Sequence, residues 1–180
     1  MKITIIRHEK VDMTWDKKYN FVTYDLACEK YDKCPIIFLQ KEYIKADDTK
    51  TVYISELPRT YETACRIFNK RDFYKTEFLN EVPLKSFRDT DKMYPLWLWN
   101  FMGRLQWLLQ SKRQMENRKD TIIRAKEMIK LLEKYQQDCY LITHGFYMRT
   151  LIHELKKQGY KIKKSNYFGI ANLDMVIAGK

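Results

Sequence analysis

Two of the three histidines in this chain stand directly beyond short apolar runs. His8 follows the run at residues 3–6 after one intervening residue, and His144 follows the run at 140–143. Both runs have the composition of buried parallel strands. In open α/β sheets, ligands bind outside the carboxyl ends of the strands. Because imidazole titrates closest to neutrality among the side chains, the sequence predicts that both histidines serve one ligand site as reactive groups.

Two arginines and a glycine accompany the histidines. Arg7 directly precedes His8, and Arg59 opens the helix predicted after the second strand. A guanidinium group suits bidentate recognition of phosphate oxygens. Gly145 stands at a predicted helix N-terminus, where its missing side chain lets the backbone approach a ligand and where anions are favoured. These residues predict a cationic pocket for a phosphoryl group.

The elements that must position these residues alternate along the chain. Strands are predicted at 3–6, 51–55, 75–79, 140–143 and 173–178, and helices at 57–68, 94–110 (one or two), 120–134 and 146–155, with another opening at Pro35. Residues 10–33 have no clean hydrophobic period and are interpreted as a long loop with some helix. The basic run at 161–164 is interpreted as solvated surface. The alternation predicts a three-layer α/β/α sandwich with a mostly parallel central sheet.

One domain, covering residues 1–180, is expected from a chain of this length. Residues 84–118 are predicted to form a small aromatic helical cap. Its tryptophan-rich part, 97–107, has two interpretations: it covers the sheet edge as core, or it forms a lid over the site. The sequence leaves both open.

The charge balance limits the classes of partner. Lys and Arg number 34 against 23 Asp and Glu, a net charge of +11. This excess favours a phosphorylated small molecule, a nucleic acid or an acidic surface, although it also fits a solubilising surface. There is no nucleic-acid-binding motif, no apolar run of membrane-spanning length and no signal peptide, so we expect a cytoplasmic protein with no nucleic-acid or membrane partner. The four cysteines form no C-x-x-C pair, so no metal is predicted.

Four segments resemble the motifs of the histidine phosphatase superfamily, which includes the cofactor-dependent phosphoglycerate mutases and small phosphatases. They occur in the family's order: Ile5-Ile6-Arg7-His8, Ser55-x-x-x-Arg59-Thr60-x-Glu62-Thr63-Ala64, Leu79-x-Glu81 and Thr143-His144-Gly145. The tail at 172–177 resembles the family's closing strand. The resemblance implies a phosphoglycerate mutase-like fold.

The resemblance also implies roles for individual residues. His8 would be the nucleophile that forms a phosphohistidine, and Glu81 would protonate the leaving oxygen and then activate water. Arg7, Arg59 and His144 would hold the phosphoryl oxygens. The implied activity is that of a metal-independent phosphomonoesterase acting on a phosphorylated small molecule, with no cofactor. An ordinary loop carboxylate is the alternative for Glu81.

The first motif departs from the family pattern. Glu9 replaces the usual glycine, and a carboxylate there would repel phosphate unless it points away or pairs with a cation such as Lys10. Val11 and Thr14 stand where phosphate-contacting Thr and Asn are common, and the usual tryptophan is displaced to Trp15. Three alternatives stay open: a phosphoglycerate mutase-type phosphotransferase, a phosphohistidine-protein phosphatase and, because of Glu9, a catalytically degenerate phospho-ligand binding protein. The substrate, and the choice between monomer and homodimer, also stay open.

Overall fold

The computed structural model describes residues 1–37, 46–69, 72–164 and 169–180. Its strands are β1 (Lys2–Arg7), β2 (Lys18–Tyr19), β3 (Thr51–Ile54), β4 (Tyr74–Lys75), β5 (Tyr94–Pro95), β6 (Cys139–Thr143), β7 (Lys161–Lys164) and β8 (Met175–Gly179). Its helices are α1 (Phe21–Lys33), α2 (Pro58–Ile67), α3 (Leu96–Leu108), α4 (Arg118–Tyr135) and α5 (Gly145–Lys157), with a short 3-10 helix at Glu77–Leu79. No helix among these residues is long and apolar enough to cross a membrane.

The main sheet has the strand order β4-β3-β6-β1-β8-β7. β1, β3, β4 and β6 run parallel to their neighbours within this group, whereas β8 is antiparallel to both β1 and β7. The predicted α/β fold with a mostly parallel sheet is therefore confirmed. β2 and β5 form a separate antiparallel pair.

Side chains from both faces of the sheet are buried under helices. Ile3 and Ile5 of β1 pack in one core with α4 and α5, while Ile6 packs on the opposite face with Ala64 of α2. Successive residues of a strand point to opposite faces, so a strand buried on both sides is apolar throughout. This explains why residues 3–6 are β-branched and, apart from Thr4, apolar. The two covered faces also give three layers of secondary structure.

The aromatic part of the cap region forms one helix, α3, with a small core of its own. Trp99 is fully buried and stacks on Tyr24 of α1, with ring centroids 5.2 Å apart. The Trp99 indole donates a hydrogen bond to the backbone carbonyl of Tyr19 at 3.0 Å. Trp97, in contrast, is 67% exposed. The tryptophans therefore serve different purposes, with Trp99 acting as the core residue.

The structure corrects the interpretation of residues 10–33 as a long loop. α1 occupies the second half of this stretch and begins with a capping box, in which Asn20 and Thr23 exchange backbone and side-chain hydrogen bonds. Only Tyr24 and Ala27 of the helix are buried. Such a narrow buried face gives almost no hydrophobic period, which explains why the sequence indicated some helix here but did not locate it.

Other element boundaries also differ from the sequence prediction. Residues 35–37 are not helical, because Ile36 pairs as an antiparallel bridge with Val11; the rest of the helix expected there lies outside the described residues. Only the start of the strand predicted at 75–79 is strand, and the 3-10 helix follows it. The basic run interpreted as plain surface is β7, which forms an edge of the sheet. Leu173 has a φ of 63°, so the last strand begins at Met175.

Candidate active site

The register of two parallel strands brings His8 and His144 together. β1 and β6 are neighbours, and Arg7 is paired with Thr143 in their ladder. Each histidine is the next residue along its strand, so the two rings lie side by side with centroids 4.9 Å apart. Both rings are buried. The expected juxtaposition at the carboxyl ends of the strands is present in the structure.

His8 is held as a neutral ring with a defined tautomer. Its Nδ1 lies 2.5 Å from the backbone carbonyl oxygen of Glu9. A carbonyl oxygen only accepts, so Nδ1 carries the proton and Nε2 retains its lone pair. Burial, and then the positive charges of Arg59 and Arg7, lower the pKa of His8 to about 3. A neutral imidazole with a lone pair on Nε2 is the form that can attack phosphorus.

His144 orients an arginine in this structure. Arg59 Nε donates to His144 Nδ1 at 3.1 Å, so the ring proton is on Nε2. Nε2 then donates to the hydroxyl of Ser55 at 2.8 Å. Burial, His8 and Arg59 hold the pKa of His144 well below its usual value. Both ring nitrogens are therefore bonded to protein atoms, and the expected contact between His144 and phosphoryl oxygens stays a prediction.

Ser55 is a site residue to which the sequence interpretation gave no role. It directly follows β3, which lies beside β6 with Ile54 paired to Ile142. This register places Ser55 level with Thr143, one residue before His144, and the Ser55 hydroxyl reaches the His144 ring. The sequence contained a signal for this residue: Ser55 is a polar residue at the end of a predicted strand, and His144 directly follows one.

Arg59 has each of its guanidinium nitrogens in a different environment. Nε contacts His144, and Nη1 donates to the carboxylate of Asp32 at 2.9 Å. The third nitrogen, Nη2, is buried and has no hydrogen-bond partner among the described residues. An unsatisfied buried donor is costly. A phosphoryl oxygen of a ligand would satisfy it.

Arg7 presents a second donor of this kind. Its Nη1 donates to the carbonyl of Ile170 at 2.6 Å, and its buried Nε has no partner in the described part of the chain. Gly145 makes room for this guanidinium: a Cβ at that position would lie 2.9 Å from Arg7 Cζ. We expected Gly145 to bring backbone close to a ligand, but its missing side chain accommodates an arginine instead.

The Gly145→Ala variant tests this packing. The added methyl group displaces the Arg7 guanidinium, so we expect kcat/KM for a phosphomonoester to fall by about tenfold or more. Gly179→Ala is the matched control, because nothing lies within 4 Å of the Cβ it would add. Steady-state kinetics on both variants provides the measurement, and equal activities would show that the position of Arg7 does not matter.

Glu81 caps the helix that follows His144. Its Oε1 accepts from the backbone N–H of Val82 and Tyr147, each at 2.9 Å, and its Oε2 accepts from Phe146 at 3.2 Å. The first N–H groups of α5 lack partners within the helix and favour an anion. The chain's own carboxylate occupies this helix terminus, where we expected a ligand anion to bind.

Glu9 is buried and turned towards α2. Its carboxylate forms an ion pair with Arg66, and its backbone N–H donates to Thr63 Oγ1 at 3.0 Å. Arg66, not Lys10, is therefore the cation that balances it. Burial raises the pKa of Glu9, and Arg66 opposes that rise. Because Glu9 is not among the residues lining the cavity described next, its replacement of the usual glycine does not direct a carboxylate into that cavity.

A cavity of about 1000 Å³ opens beside these residues. Arg7, Arg59 and Glu81 line it, and the cap region contributes Leu84, Lys85, Leu96, Asn100, Arg104, Met115 and Glu116. His8 is only 2% exposed and is not a lining residue. None of the tryptophans of α3 lines the cavity, so the lid interpretation of their rings is not supported. Within the described ranges, no three His, Cys, Asp or Glu side chains are grouped as metal ligands.

The buried histidines also predict acid sensitivity of the fold. Between pH 6.5 and about 3, unfolded His8 binds a proton that the folded ring does not, so the free energy of unfolding falls as the pH decreases through this window. The loss is about 1.4 kcal/mol per pH unit for each such proton, and His144 adds to it. Urea titrations at several pH values should show a shallower slope for His8→Ala, whereas exposed His153→Ala should match the wild type. Equal slopes in all three proteins would contradict a neutral buried His8.

Solved structures share this fold at low sequence identity. The product of an open reading frame from Mycobacterium tuberculosis is 14% identical, with a TM-score of 0.58 over 99% of this chain and 91% of that one. A mycobacterial glucosyl-3-phosphoglycerate phosphatase is 14% identical, with a TM-score of 0.58 over 98% and 88%. A phosphoserine phosphatase mutant from Entamoeba histolytica, in complex with phosphoserine, is 15% identical, with a TM-score of 0.53 over 87% and 80%. A comparison with curated protein sequences gave no match.

A family model matches most of the chain. The model of the histidine phosphatase superfamily (branch 1) covers residues 39–179, a span that contains Arg59, Glu81 and His144. The Arg7-His8 pair precedes that span and is joined to it in space by the ladder between β1 and β6. The chain therefore belongs to the histidine phosphatase superfamily.

Proposed function

We propose that this protein is a metal-independent phosphomonoesterase that hydrolyses a phosphorylated small molecule through a phosphohistidine at His8. Membership of the superfamily supports a phosphatase activity. The main observation in favour of the mechanism is the pair of buried, unpartnered donors, Arg7 Nε and Arg59 Nη2, in a site that also holds a neutral His8. This arrangement suits a phosphoryl group, which offers several acceptor oxygens.

In the first step, the substrate's phosphoryl oxygens accept from Arg7 Nε and Arg59 Nη2. His8 Nε2 attacks phosphorus with its lone pair, and the bond between phosphorus and the alcohol oxygen breaks. Glu81, protonated at this stage, gives its proton to the departing oxygen. The imidazolium that forms keeps its Nδ1–H on the carbonyl of Glu9, which stabilises the positive charge.

In the second step, water attacks phosphorus while the Glu81 carboxylate removes its proton. The bond between nitrogen and phosphorus breaks, its electron pair returns to His8 Nε2, and orthophosphate leaves. Glu81 is again protonated, so the cycle consumes one water and restores both groups. His144 contributes by fixing Arg59 through Nε, which leaves Nη2 directed to the ligand.

Hydrolysis of an aryl phosphate in excess chelator tests the proposed activity. We expect orthophosphate release at the same rate with and without the chelator. Dependence on an added metal ion would overturn metal independence. Interconversion of phosphoglycerate isomers with a bisphosphorylated primer, and little free phosphate, would indicate a mutase. Tight orthophosphate binding without turnover would indicate a binding protein.

The role of Glu81 as an acid predicts a dependence on the leaving group. Glu81→Gln should slow alkyl phosphates by about a hundredfold or more. Aryl phosphates should lose much less, because their leaving groups need less protonation. Glu127→Gln, on the exposed face of α4, is the matched control. Equal slowing of both substrate classes would assign Glu81 only to the capping of α5.

A further inference from the structure

We propose that the site prefers phosphomonoesters whose alcohol carries a planar, uncharged ring. This inference rests on the proposed function, because it names the substrate class of the same cavity. It begins from the displaced tryptophan of the first motif, Trp15, which packs against the core formed by Tyr19, Tyr24 and Trp99 and to which the mechanism gives no role.

Trp15 and Tyr31 form an aromatic wall that starts at a phosphate-binding arginine. The guanidinium of Arg59 lies 4.9 Å from the centroid of the Tyr31 ring. The Tyr31 ring in turn lies 5.4 Å from the ring of Trp15, at an angle of 39°. All three residues line the cavity. A ring attached to a phosphoryl group bound at Arg59 would therefore find aromatic surface directly next to the phosphate.

The cavity has the size and lining for such a group. Its volume of about 1000 Å³ is far larger than a phosphate ion needs. Apolar side chains continue the lining beyond the aromatic wall, among them Leu57, Pro83 and Leu96. A planar ring would gain from contact with these side chains and from stacking on Trp15, whereas a short polar alcohol would leave the apolar lining in water.

The charges around the cavity disfavour a second anionic group on the substrate. Its exposed charged lining residues are two carboxylates, Glu29 and Glu77, and one ammonium, Lys85. Apart from Arg7 and Arg59, which would hold the phosphoryl group, the cationic groups deeper in the lining already contact protein groups. Arg104 donates to the carbonyl of Val82 at 3.0 Å.

Arg124 is also engaged, because it forms two 3.0 Å bonds with the carboxylate of Glu116. The lining carboxylates, Glu29 and Glu77, would thus repel a carboxylate on the substrate. Together with the aromatic wall, this charge pattern favours a neutral ring over the carboxylate of phosphoserine.

Four ligands separate these contributions. Phenyl phosphate and adenosine 5′-monophosphate carry a ring, glycerol phosphate carries neither ring nor carboxylate, and phosphoserine carries a carboxylate. Affinities are measured by calorimetry on the His8→Ala variant, and kcat/KM on the wild type. We expect at least one ring-bearing ligand to exceed glycerol phosphate by about tenfold in both quantities, in line with ring stacking. Phosphoserine should be the weakest ligand.

Substitutions at Trp15 test the aromatic wall directly. In Trp15→Leu, the ratio of the affinity for a ring-bearing ligand to that for glycerol phosphate should fall towards one. Trp15→Phe should retain most of the wild-type ratio. Trp97→Leu is the matched control, because this exposed tryptophan does not line the cavity and its loss should leave the preference unchanged. The relative affinity of the two ring-bearing ligands shows whether the cavity suits a ring close to the phosphate or one held beyond a sugar.

Failure of this inference differs from failure of the proposed function. Equal affinities for ring-bearing ligands and glycerol phosphate, or a preference for phosphoserine, would overturn the inference even if all are hydrolysed. A ring preference that survives in Trp15→Leu would also overturn it. If no ligand is hydrolysed but the ring preference appears in binding and falls in Trp15→Leu, the proposed activity fails and the assignment of the aromatic wall stands. If Trp15→Leu does not fold, the wild-type preference and Trp15→Phe decide the outcome.

Discussion

The His8→Ala variant is expected to lose activity by about a thousandfold or more in kcat, because it removes the proposed nucleophile. Alanine has no lone pair to attack phosphorus, and the neighbouring His144 cannot replace it while both its nitrogens are bonded to Arg59 and Ser55. Orthophosphate release from an aryl phosphate, measured in chelator, reports the loss.

His153→Ala is the matched control for this substitution. His153 lies on α5 with an exposed side chain and lines no part of the cavity, so we expect its activity to equal that of the wild type. Circular dichroism on both variants verifies that they are folded. If folded His8→Ala keeps activity within about tenfold of the wild type, His8 is not the nucleophile.

Arg59→Lys is expected to lower kcat/KM by about a hundredfold or more, although it preserves the charge. The guanidinium of Arg59 serves three directions at once, towards His144, Asp32 and the open position at Nη2. A lysine ammonium is a single point of charge on a flexible stem and cannot keep these three geometries together. Inhibition by orthophosphate should weaken in parallel.

Arg149→Lys provides the comparison, since Arg149 is exposed on α5. We expect its kcat/KM and its orthophosphate inhibition constant to match those of the wild type. Activity of Arg59→Lys within about twofold of the wild type would mean that only the charge of this residue matters. A hydrogen bond from Arg59 Nη2 to the phosphoryl group would then not be needed.

The centre of the site could be predicted from the sequence because it depends on strand register. A parallel sheet aligns the carboxyl ends of its strands, so apolar runs followed by polar residues are sufficient to bring His8, His144 and Ser55 together. The strands are also the best-marked elements, because burial on both faces makes them mostly apolar. Arg59 follows from the same reasoning, since it opens the helix after β3.

The aromatic wall and the partner of Arg59 could not be predicted in this way. Tyr31 and Asp32 lie on α1, whose narrow buried face gives no usable hydrophobic period. The ion pair between Glu9 and Arg66 joins residues 57 positions apart. Which cation pairs with Glu9 depends on how α2 packs against the loop after β1. Local spacing in the sequence indicates Lys10 instead.

Two further predicted residues lie in the site, but in physical surroundings that differ from those expected. Gly145 lies in the site because a side chain would collide with Arg7, a contact between strand end and helix start that no local pattern encodes. Glu81 meets the N-terminus of α5 through two backbone N–H groups of that helix, those of Phe146 and Tyr147. Both effects follow from the packing of β1, the loop after the 3-10 helix and α5, which only the folded chain brings together.

Trapping the phosphoenzyme tests the central claim most directly. Wild-type protein is mixed with a phosphomonoester labelled in its phosphoryl group, quenched within the first turnover and digested, and the labelled peptide is identified. The account predicts a label on the peptide containing His8 that is lost in acid and retained in base, as expected for a bond between nitrogen and phosphorus, and no label in His8→Ala. A label on another residue, a label that persists in His8→Ala, or single-turnover hydrolysis without any labelled protein would contradict the account.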